Sequence, residues 1–286
     1  MLAYFINLDS RPDRRAFMEA QLSALDMKVE RLSATTPDQI VPADVAPLSL
    51  GDIGQRLSPP EIAVSISHFR IWKHMLELGE PRVLVLEDDQ LLSQRLPSFL
   101  SAIESNPVGV DVLRLETRQL RVQISTRGEP APEGLSFHCP FSFEDGAGAY
   151  VVSAAFAARV LASRKRFSMP VDDIMFSLDS PFRRGSTRRV VVPGLSLCRY
   201  EVTPEFAVPP GILASDIHAA RVALNEARMR RLPLGPRKLW REFVRLGTQS
   251  RRAVDALRNA LLGRTTVIPF ADTEFSVRSS AARPPA

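Results

Sequence analysis

The sequence predicts an α/β protein: a single domain with a mostly parallel central sheet flanked by helices, followed by a C-terminal helical extension. Three observations predict it. The opening residues read as strand, helix and strand, a βαβ unit. In Arg82-Val83-Leu84-Val85-Leu86-Glu87-Asp88-Asp89, four consecutive apolar residues run into three carboxylates. Such an apolar run reads as a strand buried on both faces, as at the centre of a parallel sheet. Past residue 217 the chain becomes basic, and its apolar residues recur at helical spacing.

Taken in order, Ala3 to Leu8 is a short apolar strand and Asn7 to Arg15 the loop after it. Ser10 is the expected N-cap of a helix with Pro12 in its first turn and Phe17, Met18, Leu22 and Leu25 at helical spacing. Lys28 to Ala34 is the second strand, and the Pro- and Asp-rich stretch from Thr35 to Pro60 a long loop. Ser58 with Glu61 three residues on is a capping box. The helix it opens carries a stripe of Ile62, Ile66, Phe69, Trp72 and Leu76 and ends at Gly79, before the acidic strand. His68 lies beside that stripe, where a histidine is more often packed and hydrogen-bonded than a ligand.

Leu96 to Ser105 is the next helix, Asp111 to Leu115 a strand, Arg121 to Ser125 a hairpin strand, and Gly128 to Gly134 a surface loop. Gly146-Ala147-Gly148 leads into a strand through Ser153, its small residues allowing a ligand or neighbouring strand to come close. Because it precedes a strand, it is not a dinucleotide fingerprint. Phe156 to Leu161 is helical, Asp172 and Asp173 enter a short helix through Leu178, and Arg189 to Val192 is a late strand. Ser215 to Arg231 is a helix. Leu239, Phe243, Leu246, Val254, Leu257 and Leu261 continue a basic amphipathic one. Residues 218–268 form this extension, 269–286 a disordered tail, and no repeat is present.

The net charge is +5, but residues 228–264 carry eleven Arg and Lys against two acids. That asymmetry calls for an anionic partner, and an amphipathic helix without an aromatic stacking series suits an anionic membrane surface better than nucleic acid. No apolar run is long enough to span a membrane. The N-terminus has no basic leader, so no signal peptide is expected. Two cysteines, Cys139 and Cys198, exclude a disulfide framework and a cysteine zinc site. A reduced, cytosolic protein is the expectation.

Carboxylates at the carboxyl end of a buried strand sit where open α/β sheets bind ligands. They are costly there unless neutralised, and a hard divalent cation bridging to phosphate is the natural neutraliser. The alternative is a solvated turn before the next helix. Arg11, Arg14 and Arg15 oppose the dipole preference of a helix start, which makes sense if they face a diphosphate; the alternative is a solvated cluster.

Four stretches together resemble glycosyltransferase family 25, the lipooligosaccharide galactosyltransferases and their relatives. They are Phe5-Ile6-Asn7-Leu8-Asp9 with Arg11 to Arg15; Glu61 to His68 with Trp72; Leu86-Glu87-Asp88-Asp89; and Ala149 to Ser153 followed by Pro170-Val171-Asp172. Ser215-Asp216-Ile217 resembles the family's last motif, so the likeness spans roughly residues 3–217. Ala63 and Val64 replace the usual Gly and Cys, and the stretch between Gly194 and Ser215 fits poorly.

The resemblance implies a GT-A fold over residues 1–217 and a UDP-sugar donor, typically UDP-galactose or another UDP-hexose. It implies a saccharide or glycolipid acceptor and inverting transfer assisted by Mn²⁺ or Mg²⁺. Glu87 and Asp89, pointing the same way if the strand continues, would contact metal and diphosphate. Asp88 would contact sugar or ribose, and Arg11 and Arg14 the diphosphate. Asn7, Asp9, His68 and Tyr150 fall among the substrate-binding residues. Asp172 or Asp173 would be the general base, with Asp145 next; an N-cap role is the alternative for Asp172. The enzyme would be peripheral at the inner face of the cytoplasmic membrane. The competing reading is a non-catalytic sugar-nucleotide-binding or scaffold protein on the same fold.

Overall fold

A computed structural model describes residues 1–45, 57–142, 145–198, 212 and 261–272. Its strands are β1 (Leu2–Asn7), β2 (Glu30–Ser33), β3 (Arg82–Glu87), β4 (Leu91–Leu92), β5 (Val112–Arg114), β6 (Glu116–Thr117), β7 (Arg121–Ser125), β8 (Glu129–Pro130), β9 (Ser136–His138), β10 (Ala149–Ser153), β11 (Arg188–Val192), β12 (Ser196–Leu197) and β13 (Gly263–Val267). The helices are α1 (Pro12–Ala24), α2 (Pro42–Val45), α3 (Pro59–Glu77), α4 (Leu96–Ser105), α5 (Ala154–Leu161) and α6 (Val171–Phe176). The main sheet has the order β2-β1-β3-β10-β5-β11-β9-β8. Strands β1, β2, β3, β5 and β11 run one way, while β10 and β9 run against them. This mostly parallel sheet between helices is the expected α/β arrangement.

The pleat gives the sheet two apolar faces. Tyr4, Val85 and Tyr150 are register partners across β1, β3 and β10. With Ile6, Val83 and Val152 they join one core cluster with Ile62, Ile66, Phe69 and Trp72 of α3, Phe156 and Val160 of α5, and Ile174 and Met175 of α6. The alternate residues Phe5, Leu84, Leu86, Ala149 and Val151 pack on Met18 and Leu22 of α1 and Phe99 and Ile103 of α4. Val83 to Leu86 is wholly buried, as an uninterrupted apolar run requires. Each such side chain stabilises the fold by about 1.5–3 kcal/mol.

The capping box forms: Glu61 accepts from the Ser58 backbone N–H and from its hydroxyl, both at 2.8 Å. Gly79 leaves α3 with φ +70°, a conformation glycine adopts without strain. Several expectations change. The N-cap of α1 is Arg11 and not Ser10, and no side chain caps it. Strand β7 bonds antiparallel to residues 139–142 on one side and pairs with β13 on the other, so residues 263–267 of the supposed helical extension are a strand. Thr265, Thr266 and Val267 are β-branched, which suits a strand. The tail assigned to disorder begins in packed structure: Phe270 and Ala271 are fully buried, and Asp272 accepts from the Ser93 hydroxyl at 2.6 Å. The helix from Ser215 to Arg231 and the apolar stripe from Leu239 to Leu257 lie outside the described residues. Among the described residues no helix is long and apolar enough to cross a membrane.

Candidate functional site

The carboxyl ends of β1 and β3 meet at Asn7 and Glu87, and the acidic triplet gathers there. Strand β3 stops at Glu87; Asp88 and Asp89 form a turn, so the alternation assumed for them does not continue. Glu87 keeps the face of Val83 and Val85, toward α3. Asp88 falls on the opposite face, toward α1, where Asn7 Nδ2 donates to Oδ2 at 2.6 Å and Arg14 NH1 to Oδ1 at 3.2 Å. Arg14 is itself buried, so it reaches the cluster from beneath and not from the rim. Asn7 is held in turn: Arg31 Nε donates to its Oδ1 at 2.9 Å. Arg31 also pairs with Asp9, an exposed carboxylate that accepts from Ser33 Oγ at 2.8 Å. Arg11 forms a two-bond pair with Asp13, at 3.0 and 2.8 Å.

Glu87 and Asp89 share the end of this strand, and the charge of Glu87 is felt at Asp89. Burial, then the charges of Asp172 and Asp88, push the Glu87 carboxyl up to about 7. Burial, then the charge of Glu87, pushes Asp89 to about 6. Arg118 and Arg14 work against both rises. Both carboxylates are partly exposed, Glu87 with 29% of its side chain accessible. Asp89 accepts from Gln90 Nε2 at 2.9 Å, and buried Gln90 accepts from Ser196 Oγ at 2.6 Å. Among the described residues no group of three or more His, Cys, Asp or Glu is arranged to hold a metal ion.

Behind Glu87, buried His68 places Nε2 3.3 Å from Glu87 Oε1 and Nδ1 2.7 Å from the Tyr150 hydroxyl. Burial lowers the imidazole to about 4, so it is neutral at pH 7. Both His68 and Tyr150 lie beneath the acidic cluster and are fully buried.

Asp172 stands in the first turn of α6, whose N-cap is Pro170; the N-cap alternative for Asp172 therefore does not hold. Its Oδ2 accepts from Gly146 N and its Oδ1 from Asp173 N, both at 3.0 Å. Its charge is felt at Glu87 and at His68. Asp173 is half-buried beside it, and the carbonyl of Asp145 accepts from Arg114 and Arg118 at 3.1 and 3.2 Å. Arg188 of β11 donates to the Ile174 and Ser177 carbonyls and so ties down the far end of α6.

Four features escaped the sequence reading. Gln90 adjoins the triplet. Glu116 accepts from Gly148 N at 3.0 Å and from Arg114 at 3.2 Å. Arg118 is the half-buried cation whose charge reaches Glu87 and Asp89. The Gly146–Gly148 backbone is clamped between two carboxylates, while Gly148 O accepts from Glu87 N at 2.7 Å. Only the Gly-Ala-Gly spacing hinted at this close approach. A Cβ on Gly148 would stand 2.0 Å from Gln90 Nε2.

Comparison with known proteins points the same way. The sequence model described as glycosyltransferase family 25 (LPS biosynthesis protein) matches residues 1–175. The chain is 27% identical over 273 residues to the lacto-N-neotetraose biosynthesis glycosyltransferase LgtE of Neisseria meningitidis serogroup B, covering 92% of this chain and 96% of that one. It is 26% identical over 231 residues to LgtB of Neisseria gonorrhoeae, covering 77% and 76%. It is also 27% identical over 185 residues to the inactive glycosyltransferase 25 family member 3 of Homo sapiens, covering 60% of this chain but only 30% of the human protein.

Proposed function

The chain belongs to glycosyltransferase family 25, and we propose that it moves a hexose, galactose foremost, from a UDP-sugar to a saccharide acceptor of a lipopolysaccharide or other glycolipid, with inversion and a divalent cation. One observation carries this reading: two carboxylates, Glu87 and Asp89, stand at the carboxyl end of a central strand although burial and neighbouring carboxylates disfavour the charge of each. Hard oxygen donors in that state fit Mn²⁺ or Mg²⁺. Magnesium in particular is commonly held by one or two carboxylates together with substrate phosphates and water, which suits the two carboxylates present. A bound cation would supply Lewis-acid stabilisation to the diphosphate as it departs.

The chain's own residues divide the remaining work. Arg118 stands where its charge favours an anion beside the pair, a place better suited to a diphosphate than that of Arg14. Arg14, Asn7 and Asp88 brace the floor. Asp172 is the better placed base, since its carboxylate is fixed by two backbone N–H groups and its charge reaches Glu87. It would take the proton from the acceptor hydroxyl as that oxygen attacks the anomeric carbon. Attachment to the inner face of the cytoplasmic membrane through the basic residues 228–264 belongs to the same proposal.

The test is UDP release from UDP-galactose, with and without Mn²⁺, in the wild type and Asp89→Asn. Loss of one charge-stabilising contact should slow turnover about 10²–10³-fold. Wild-type turnover in Asp89→Asn would refute the metal assignment. Failure of the wild type with every UDP-hexose would instead favour a non-catalytic protein, like the human relative named inactive.

A further inference from the structure

Trp72 and His68 sit four residues apart on α3, so their side chains share one helix face. Tyr150 is the register partner of Val85, and Glu87 lies two residues beyond on the same face of β3. These four side chains form a continuous series: Trp72 Nε1 to Tyr150 Oη at 3.0 Å, Tyr150 Oη to His68 Nδ1 at 2.7 Å, and His68 Nε2 to Glu87 Oε1 at 3.3 Å.

The direction of every hydrogen bond follows from the first. An indole N–H only donates, so the Tyr150 oxygen accepts from Trp72. The Tyr150 proton must then find another acceptor, because all three rings are fully buried and an unmatched hydroxyl costs about 1–3 kcal/mol. His68 Nδ1 stands in place to accept it. The imidazole hydrogen therefore sits on Nε2, where it points at Glu87. The reverse order is impossible, since Trp72 cannot accept.

We infer that Trp72, Tyr150 and His68 are positioning residues: a one-way hydrogen-bond chain that locks His68 as the Nε2–H tautomer and thereby fixes the carboxylate of Glu87. The bond from Glu87 N to Gly148 O pins the backbone of the same residue, so main chain and side chain are held independently. The inference rests on the reading above for what Glu87 does, but not for the tautomer.

The experiment joins two measurements on the full-length protein. Imidazole ¹⁵N NMR should show the Nε2–H tautomer of His68 in the wild type and a shift toward Nδ1–H in Tyr150→Phe. UDP release from UDP-galactose with Mn²⁺ should separate two variants of similar polarity. A glutamine amide nitrogen falls near the Nε2 position and can still donate to Glu87, whereas an asparagine amide falls near Nδ1 and cannot. His68→Asn should lose at least about tenfold more kcat than His68→Gln, with little change in KM, as expected for one hydrogen bond to a charged group. A wild-type Nδ1–H tautomer, or equal activity in the two variants, would overturn the inference. If His68→Asn fails to fold, the tautomer shift in Tyr150→Phe decides alone. If even the wild type releases no UDP, the NMR result still tests the chain and the functional reading is what fails.

Discussion

Glu87→Gln tests the electrostatics of the site without reference to its substrate. Burial first, then the charges of Asp172 and Asp88, raise the Glu87 carboxyl from 4.5 to about 7. The folded state therefore holds a proton that the unfolded state releases at lower pH. Stability from this group is full below pH 4.5 and is lost as pH rises through about 7. A rise of that size corresponds to about 3 kcal/mol, at about 1.4 kcal/mol for each tenfold change. Partial exposure reduces it to about 1–2 kcal/mol. Glutamine keeps an oxygen for His68 Nε2–H but carries no charge. In metal-free buffer, Glu87→Gln should thus be more stable than the wild type at pH 8, by about 2–6 °C in Tm, with the advantage shrinking toward pH 4.5. Denaturation at the two pH values measures it. An advantage of equal size at both, or a wild type whose stability ignores this window, would refute the reasoning. The same substitution should abolish UDP release, so stability and activity move in opposite directions.

Further outcomes follow from single contacts. Arg14→Ala leaves the buried Asp88 carboxylate without its guanidinium and should cost about 3–5 kcal/mol in urea unfolding, with Asp88→Asn added to it recovering part. Gly148→Ala sets a methyl against the amide of fully buried Gln90, whose displacement would break its bonds to Asp89 and Ser196; a loss of about 1–3 kcal/mol is expected, and Gln90→Ala in the same chain should relieve it. Phe270→Ala, in a stretch with the composition of a tail, should cost about 3–5 kcal/mol in the same assay, because the ring is fully buried.

What the sequence made legible were features with a local signal. Val83 to Leu86 announces a central strand because both faces of that strand are apolar, and Ser58 with Glu61 announces a helix start because the two bond reciprocally across one turn. Strand β13 was hidden: its partner β7 lies more than a hundred residues earlier, and neighbouring apolar residues supplied a helical period that Arg264, Thr265 and Thr266 do not share. The site was half legible. The carboxylates were visible as a run, and so were His68 and Tyr150 as members of family stretches. Glu116 and Arg118 were not, because register and close backbone approach bring them to the cluster and neither leaves a pattern along the chain, and Gln90, though adjacent, carries no charge to mark it. The arginines show the limit of charge-based reading: Arg11 and Arg14 looked alike in sequence, yet one is paired with Asp13 and the other is buried on Asp88.

The triplet itself explains why three adjacent carboxylates can be tolerated. Were all three on one side of the sheet end, each would raise the others and one cation would have to balance them all. The pleat prevents this by sending Glu87 and Asp88 to opposite faces. Asp88 receives its counter-charge from α1 through Arg14 and a second bond from Asn7, and so becomes part of the floor. Among the described residues the side chain of Glu87 accepts from a neutral donor, His68 Nε2–H, which orients the carboxylate without cancelling its charge. Asp89, brought back by the turn, is likewise held by the neutral amide of Gln90. Two carboxylates thus take neutral hydrogen-bond donors among the described residues, with Arg118 and Arg14 offsetting only part of what disfavours their charge, and the third is paired with a guanidinium from within. Under the proposed function that division matches the need: an incoming cation meets two carboxylates whose charge it can balance, on a floor whose own charge is already paired.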